Sequence, residues 1–192
     1  MRFGIFLFDG AEELDWAGPW EVLAAWAQKW PEDEVEVVTI SQHEGVIACA
    51  KGLRLLADHT WADAPPIDVL IYPGGQGTRP QLEDETVLNW VRSMDGTLRT
   101  SVCTGSLVFA AAGLLAGRPA TTHWGSLDAL AALDDTIEVR PDDRFVDSGD
   151  IVTAAGVSAG IDMALHLVKR LHSEERAREV KRYIQYDPQP PV

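Results

Sequence analysis

The stretch Asp68-Val69-Leu70-Ile71-Tyr72, which runs straight into Pro73-Gly74-Gly75-Gln76-Gly77, constrains this chain more than any other. Its apolar residues are consecutive, too few for a helix, and do not alternate with polar ones. As a strand they are buried on both faces of a sheet. Arg2 to Phe8 repeats the pattern and stops at Asp9-Gly10, and Leu98 to Val102 stops at Cys103-Thr104-Gly105. Between these runs the apolar spacing turns helical. From Trp16 to Trp30 it falls at Trp16, Trp20, Leu23, Ala24, Ala27 and Trp30, with Pro19 near the start and Trp20 and Trp30 expected in the core.

Further helices are predicted over Gln81 to Met94, Thr104 to Ala112 with Gly113 as its cap, Ser126 to Leu133, Val157 to Leu171 and Glu174 to Ile184. Further strands are predicted at Glu34 to Ile40, Ala120 to Thr122, Ile137 to Val139, Arg144 to Val146 and Ile151 to Ala154. Val46 to Leu56 is Gly-punctuated and β-like, and the tail from Asp187 to Val192 is extended. Strands alternating with helices give an α/β chain with a mostly parallel sheet. No repeat or linker divides its 192 residues, so a single domain over 1–192 is expected.

A formal charge of −14 repels phosphate backbones, which argues against nucleic acid as a partner. No apolar run nears the roughly 18 residues of a membrane span. The N-terminus has neither the apolar length nor the cleavage site of a signal peptide, so a cytoplasmic location is expected. Two cysteines are too few for a disulfide framework. There is no Walker-type run and no pair of close His or Cys residues, so neither a metal nor a cofactor is predicted.

Sites in parallel sheets form where strands end. Three loops leave such ends: Asp9 to Asp15, Pro73 to Thr78 and Val102 to Gly105. Cys103 sits where an apolar strand gives way to a helix, the arrangement of a nucleophile elbow with Cys in place of Ser. A helix N-terminus is expected to lower its pKa. The amides of Gly74 and Gly75, with that of Thr104, are expected to form an oxyanion-hole-like nest beside the sulfur. Asp15 is either a helix cap or, if it approaches Cys103, an acid–base partner. His123 is a base for Cys103, a polar pocket wall or a structural residue. Trp16 and Trp124 flank these positions and either line an apolar pocket or pack in the core. Cys49 reads as structural.

These motifs, together with Ala110-Ala111-Ala112-Gly113-Leu114-Leu115 and Ala120-Thr121-Thr122-His123-Trp124, resemble the ThiJ/PfpI superfamily over nearly the whole chain. Within it the likeness is to the isonitrile-hydrating branch. Leu14-Asp15 followed by Gly18-Pro19-Trp20-Glu21-Val22 carries it, as does the ending Gln185-Tyr186-Asp187-Pro188-Gln189-Pro190-Pro191. The peptidase-like branch has His after its cysteine and Glu near the first loop; here Thr104 and Asp15 stand there. The resemblance implies a flavodoxin-like three-layer sandwich, a homodimer, no metal, and hydration of an isonitrile to a formamide. It implies Cys103 as nucleophile, Asp15 as acid/base and Thr104 as a supporting residue. Two other readings stay open: a stress-response protein with a redox-sensitive Cys103, and a small-molecule sensor related to AraC-type regulators, against which the acidic charge argues.

Overall fold

The computed structural model describes residues 1–189. In chain order the elements are β1 (Arg2–Leu7), α1 (Glu13–Lys29), β2 (Glu36–Ser41), β3 (Ile47–Ala48), β4 (Arg54–Leu55), β5 (His59–Thr60) and β6 (Val69–Tyr72). There follow α2 (Thr78–Gln81), α3 (Glu85–Arg92), β7 (Leu98–Val102), α4 (Gly105–Ala111), β8 (Pro119–Ala120), α5 (Leu127–Leu133) and β9 (Glu138–Val139). The last are β10 (Phe145–Asp147), β11 (Ile151–Ala154), α6 (Ala159–Leu171) and α7 (Glu174–Tyr183). The central sheet has the order β10-β11-β7-β6-β1-β2-β5. All its pairings are parallel except that of β10 with β11.

Side chains alternate across a strand, and the apolar runs feed two cores. Phe3, Ile5 and Leu7 face Val22, Leu23 and Trp26 of α1 and the inner faces of α6 and α7. Phe6, Leu70 and Tyr72 face α3, α4 and α5. The result is the expected α/β three-layer sandwich with a mostly parallel sheet, and it gathers the C-terminal ends of β1, β6, β7 and β11 along one edge.

Several boundaries differ from expectation. Helix α1 begins at Glu13, so Pro19 lies inside it, in the second turn. Proline has no N–H, so the Asp15 carbonyl loses its helical donor there. The helix persists because α6 packs tightly on this point: a Cβ on Gly160 would lie 3.1 Å from Pro19 Cγ. Trp20 is 40% exposed rather than in the core. The helix expected over Gln81 to Met94 is the shorter α3, because Asp84 caps it by accepting from the N–H groups of Thr86 and Val87; Gln81 instead ends the separate α2. Val46 to Leu56 is the small β3–β4 hairpin, and β8 pairs with β9 outside the main sheet. Gly113, at φ +75°, ends α4 as expected. Asp187 to Gln189 form no helix or strand; the rest of the extended-tail expectation lies outside the described residues.

Candidate active site

Cys103 directly follows β7 and holds φ at +56°, a left-handed conformation uncommon for a residue with a Cβ. The surroundings impose it. Its N–H is shared between the carbonyls of Ala154 and Ala155, both at 3.1 Å. Its carbonyl accepts from Thr122 Oγ1 at 2.8 Å and from Ser106 Oγ at 3.1 Å. The chain thus turns sharply from strand to helix at the cysteine.

Asp15, the third residue of α1, is fully buried and caps nothing; the N-cap position is Glu12, with no side-chain cap. Instead Asp15 Oδ2 accepts the Gly74 N–H at 2.9 Å, and the carboxyl and the Cys103 thiol are near enough for each to shift the other's proton affinity. Oδ1 is buried with no hydrogen-bond partner among the described residues. The contact requires glycine: a Cβ on Gly74 would lie 2.5 Å from the Thr104 nitrogen and 2.9 Å from Asp15 Oδ2. The next amide, Gly75 N–H, donates to Thr104 Oγ1 at 3.0 Å, and Thr78 Oγ1 sits 3.1 Å from the same hydroxyl. The expected Gly74–Gly75 nest around the sulfur is therefore not formed, because both amides are committed to side chains of the neighbouring loops. The amides that reach Cys103 are those of Thr104 and Val157.

The electrostatics also differ from expectation. Burial, reinforced by the Glu12 carboxylate, pushes Asp15 up from 3.8 to about 7, against the pull of the Gly74 N–H. Burial and then the Asp15 charge push the Cys103 thiol up to about 12, and the Thr104 and Val157 amides only partly offset this. Desolvation outweighs the helix terminus, so the thiol is not acidified as the sequence suggested. Thiol and carboxyl behave as one unit that holds a single proton between about 7 and about 12.

The sulfur opens on a cavity of about 170 Å³ lined by Glu12, Gly75, Gln76, Arg79, Cys103, Thr104, His123, Ser126 and Val157. Larger hollows of about 320 and 450 Å³ contain neither Cys103 nor Asp15. His123 is in the wall, packed on Gly156, with Nδ1 accepting the Gly125 N–H at 3.1 Å. No hydrogen bond joins it to Cys103 among the described residues. Neither tryptophan lines the cavity. Trp16 is half-buried between the two cores, and Trp124 is 78% exposed, tilted against the His123 ring. The sequence did not mark Glu12, Gln76, Arg79, Ser126 or Val157 as site residues; Ser126 and Val157 read only as helix starts. Val157 follows β11, the neighbour of β7, and has φ +48°, which nothing in its local sequence announces.

The sequence matches the DJ-1/PfpI family over residues 1–170. The chain belongs to that family. Among its DJ-1/PfpI relatives, an isonitrile hydratase of Pseudomonas putida is 40% identical across the whole chain and 81% of its own length. The transcriptional regulator CdhR of Pseudomonas aeruginosa is 30% identical over 73% of the chain, which spans 42% of that regulator. A ThiJ/PfpI family protein from Pseudomonas syringae superposes with a TM-score of 0.87 and 29% identity, covering all of this chain and 77% of that one. Drosophila melanogaster DJ-1beta shares the fold, with a TM-score of 0.84 at 22% identity over 97% of this chain and 98% of its own. Among the described residues no helix is long and apolar enough to cross a membrane, and no three His, Cys, Asp or Glu side chains gather to hold a metal.

Proposed function

We propose that this DJ-1/PfpI protein hydrates isonitriles to N-substituted formamides, with Cys103 as nucleophile and Asp15 as the group that carries the proton. The observation behind this is the buried Asp15 carboxyl, raised to about 7 and electrostatically coupled to a thiol that no imidazole is hydrogen-bonded to among the described residues. A general acid that must later act as a base works best with a pKa near the operating pH. The 40% identity to an isonitrile hydratase over the whole chain supports the same substrate class. The family resemblance adds a homodimer as the acting form.

An isonitrile carbon must gain both a nucleophile and a proton. The Asp15 carboxylate takes the thiol proton as the sulfur approaches, and the C–S bond forms. The carbon's electron pair takes that proton from the carboxyl, leaving the thioimidate R–N=CH–S–Cys. Asp15, ionised again, removes a proton from water; the hydroxyl adds to the same carbon and the nitrogen is protonated. The C–S bond of R–NH–CH(OH)–S–Cys then breaks. The formamide R–NH–CHO leaves and the hydroxyl proton returns to the sulfur. One water is consumed. The Thr104 and Val157 amides stabilise the sulfur while it is negative.

The test is formamide production from cyclohexyl isocyanide and from a smaller alkyl isonitrile. Turnover by the unaltered protein is expected, with almost none in Cys103→Ala or Cys103→Ser, since a hydroxyl has no comparable anion near neutral pH. More than a few per cent of activity in either variant refutes the covalent role.

A further inference from the structure

The side chains that line the cavity are mostly polar. Of the side chains around Cys103, only Val157 is apolar; the others offer an amide, two hydroxyls, an imidazole, a carboxylate and a guanidinium. The two tryptophans that could have made an aromatic wall lie elsewhere. Polar groups are therefore at hand to orient a substrate.

Charge singles out one of them. Most arginines of this acidic chain are held by carboxylates, for example Arg99 and Arg118 by Asp150, Arg144 by Asp162 and Arg176 by Asp33. Arg79 has no carboxylate within 4.0 Å among the described residues, although it is exposed and lines the cavity. Its Nη1 donates to Thr78 Oγ1 at 3.0 Å, and Thr78 Oγ1 in turn reaches the Gly75 carbonyl at 2.8 Å and Thr104 Oγ1 at 3.1 Å. The guanidinium is thus bonded to its chain neighbour Thr78, whose hydroxyl lies beside that of Thr104, and among the described residues the rest of its fork is unengaged. Glu12, the carboxylate in the same wall, is tied up by Lys51. At the mouth, then, the negative group is compensated and the positive one is free.

We infer that the substrate is a small isonitrile whose R group carries a carboxylate, and that Arg79 binds this carboxylate while Cys103 takes the isonitrile carbon. This rests on the hydratase reading above. A planar guanidinium matches a carboxylate with two parallel hydrogen bonds, a fit that neither an ester nor a cyclohexyl ring provides. The overall charge of −14 does not prevent it. At physiological salt, charges beyond about 8 Å are largely screened, and Arg79 acts at contact.

The experiment compares isocyanoacetate with its methyl ester as substrates for the full chain, Arg79→Gln and Arg79→Lys. In the unaltered protein kcat/KM is expected to favour the acid by about 10- to 100-fold, mostly through KM, the scale of a hydrogen bond to a charged group. In Arg79→Gln this acid-over-ester ratio collapses toward one, and Arg79→Lys restores part of it. Hydration of both compounds with a ratio near one in the unaltered protein, or a ratio that Arg79→Gln leaves unmoved, overturns the role of Arg79 and leaves the hydratase reading standing. No formamide from either compound or from cyclohexyl isocyanide overturns both.

Discussion

Replacing Asp15 by Asn is expected to make the protein more stable at alkaline pH while destroying its activity. A carboxyl at 3.8 in the unfolded chain and at about 7 in the folded one binds its proton more tightly after folding. Stability from that proton is complete below 3.8 and is lost as pH rises through about 7. At about 1.4 kcal/mol per factor of ten, holding the carboxyl in its buried place costs about 2 kcal/mol at pH 5 and about 4 kcal/mol at pH 8. Asn carries no such cost, and its carbonyl can still accept the Gly74 N–H. Any fixed difference in hydrogen bonding is the same at both pH values, so it cancels when the two are compared. The advantage of Asp15→Asn over the unaltered protein should therefore grow by about 2–3 kcal/mol between pH 5 and pH 8. Urea unfolding followed by tryptophan fluorescence under reducing conditions measures it. An advantage that changes by less than about 0.5 kcal/mol across that range would mean that Asp15 titrates as an ordinary carboxyl, and the proton scheme drawn here would fail.

Turnover of a neutral isonitrile should rise as pH passes about 7 and stay level well above it. Below 7 both groups are protonated and nothing can take the thiol proton, while the pair keeps its one proton up to about 12; a rate that falls through 7 refutes this. Gly74→Ala should cost about 1–3 kcal/mol of stability and at least about 100-fold in kcat, because its Cβ would drive into the Thr104 amide and the Asp15 carboxyl; thermal melts and steady-state kinetics check both. His123→Ala should raise KM more than it lowers kcat, as expected of a wall residue whose Nδ1 already serves Gly125. A collapse of kcat with KM unchanged would make His123 the base.

The sheet was legible because its strands announce themselves as runs such as Val69 to Tyr72, and a run buried on both faces admits few architectures. The position of Cys103 was legible for a related reason, since strand, cysteine and glycine are consecutive. Other features of the site depend on what meets across the sheet, and no local pattern records that. Asp15 and Gly74 are 59 residues apart and touch only because β1 and β6 are neighbours. The Gly74 and Gly75 amides read as free donors, yet each is used by a side chain from a different loop. The thiol was expected to be acidic because the start of a helix is visible in the sequence, whereas the depth of burial that overrides it is not. Trp124 adjoins His123 in the chain, but its ring points to solvent. Val157 needs a positive φ at a β-branched residue, which sequence preferences argue against.

The Gly74–Gly75 dipeptide grips the Asp15 carboxyl with one amide and the Thr104 hydroxyl with the next, and so ties the start of α1 to the elbow through two consecutive main-chain donors. Sulfur and carboxyl are thus held by neighbours fixed to the backbone amides, while the cavity wall is built from side-chain tips such as Gln76, Arg79 and Ser126. Exchanging those tips leaves the distance between sulfur and carboxyl untouched. A lineage carrying this scaffold can change the molecules it accepts, one outer side chain at a time, without reinventing the reaction.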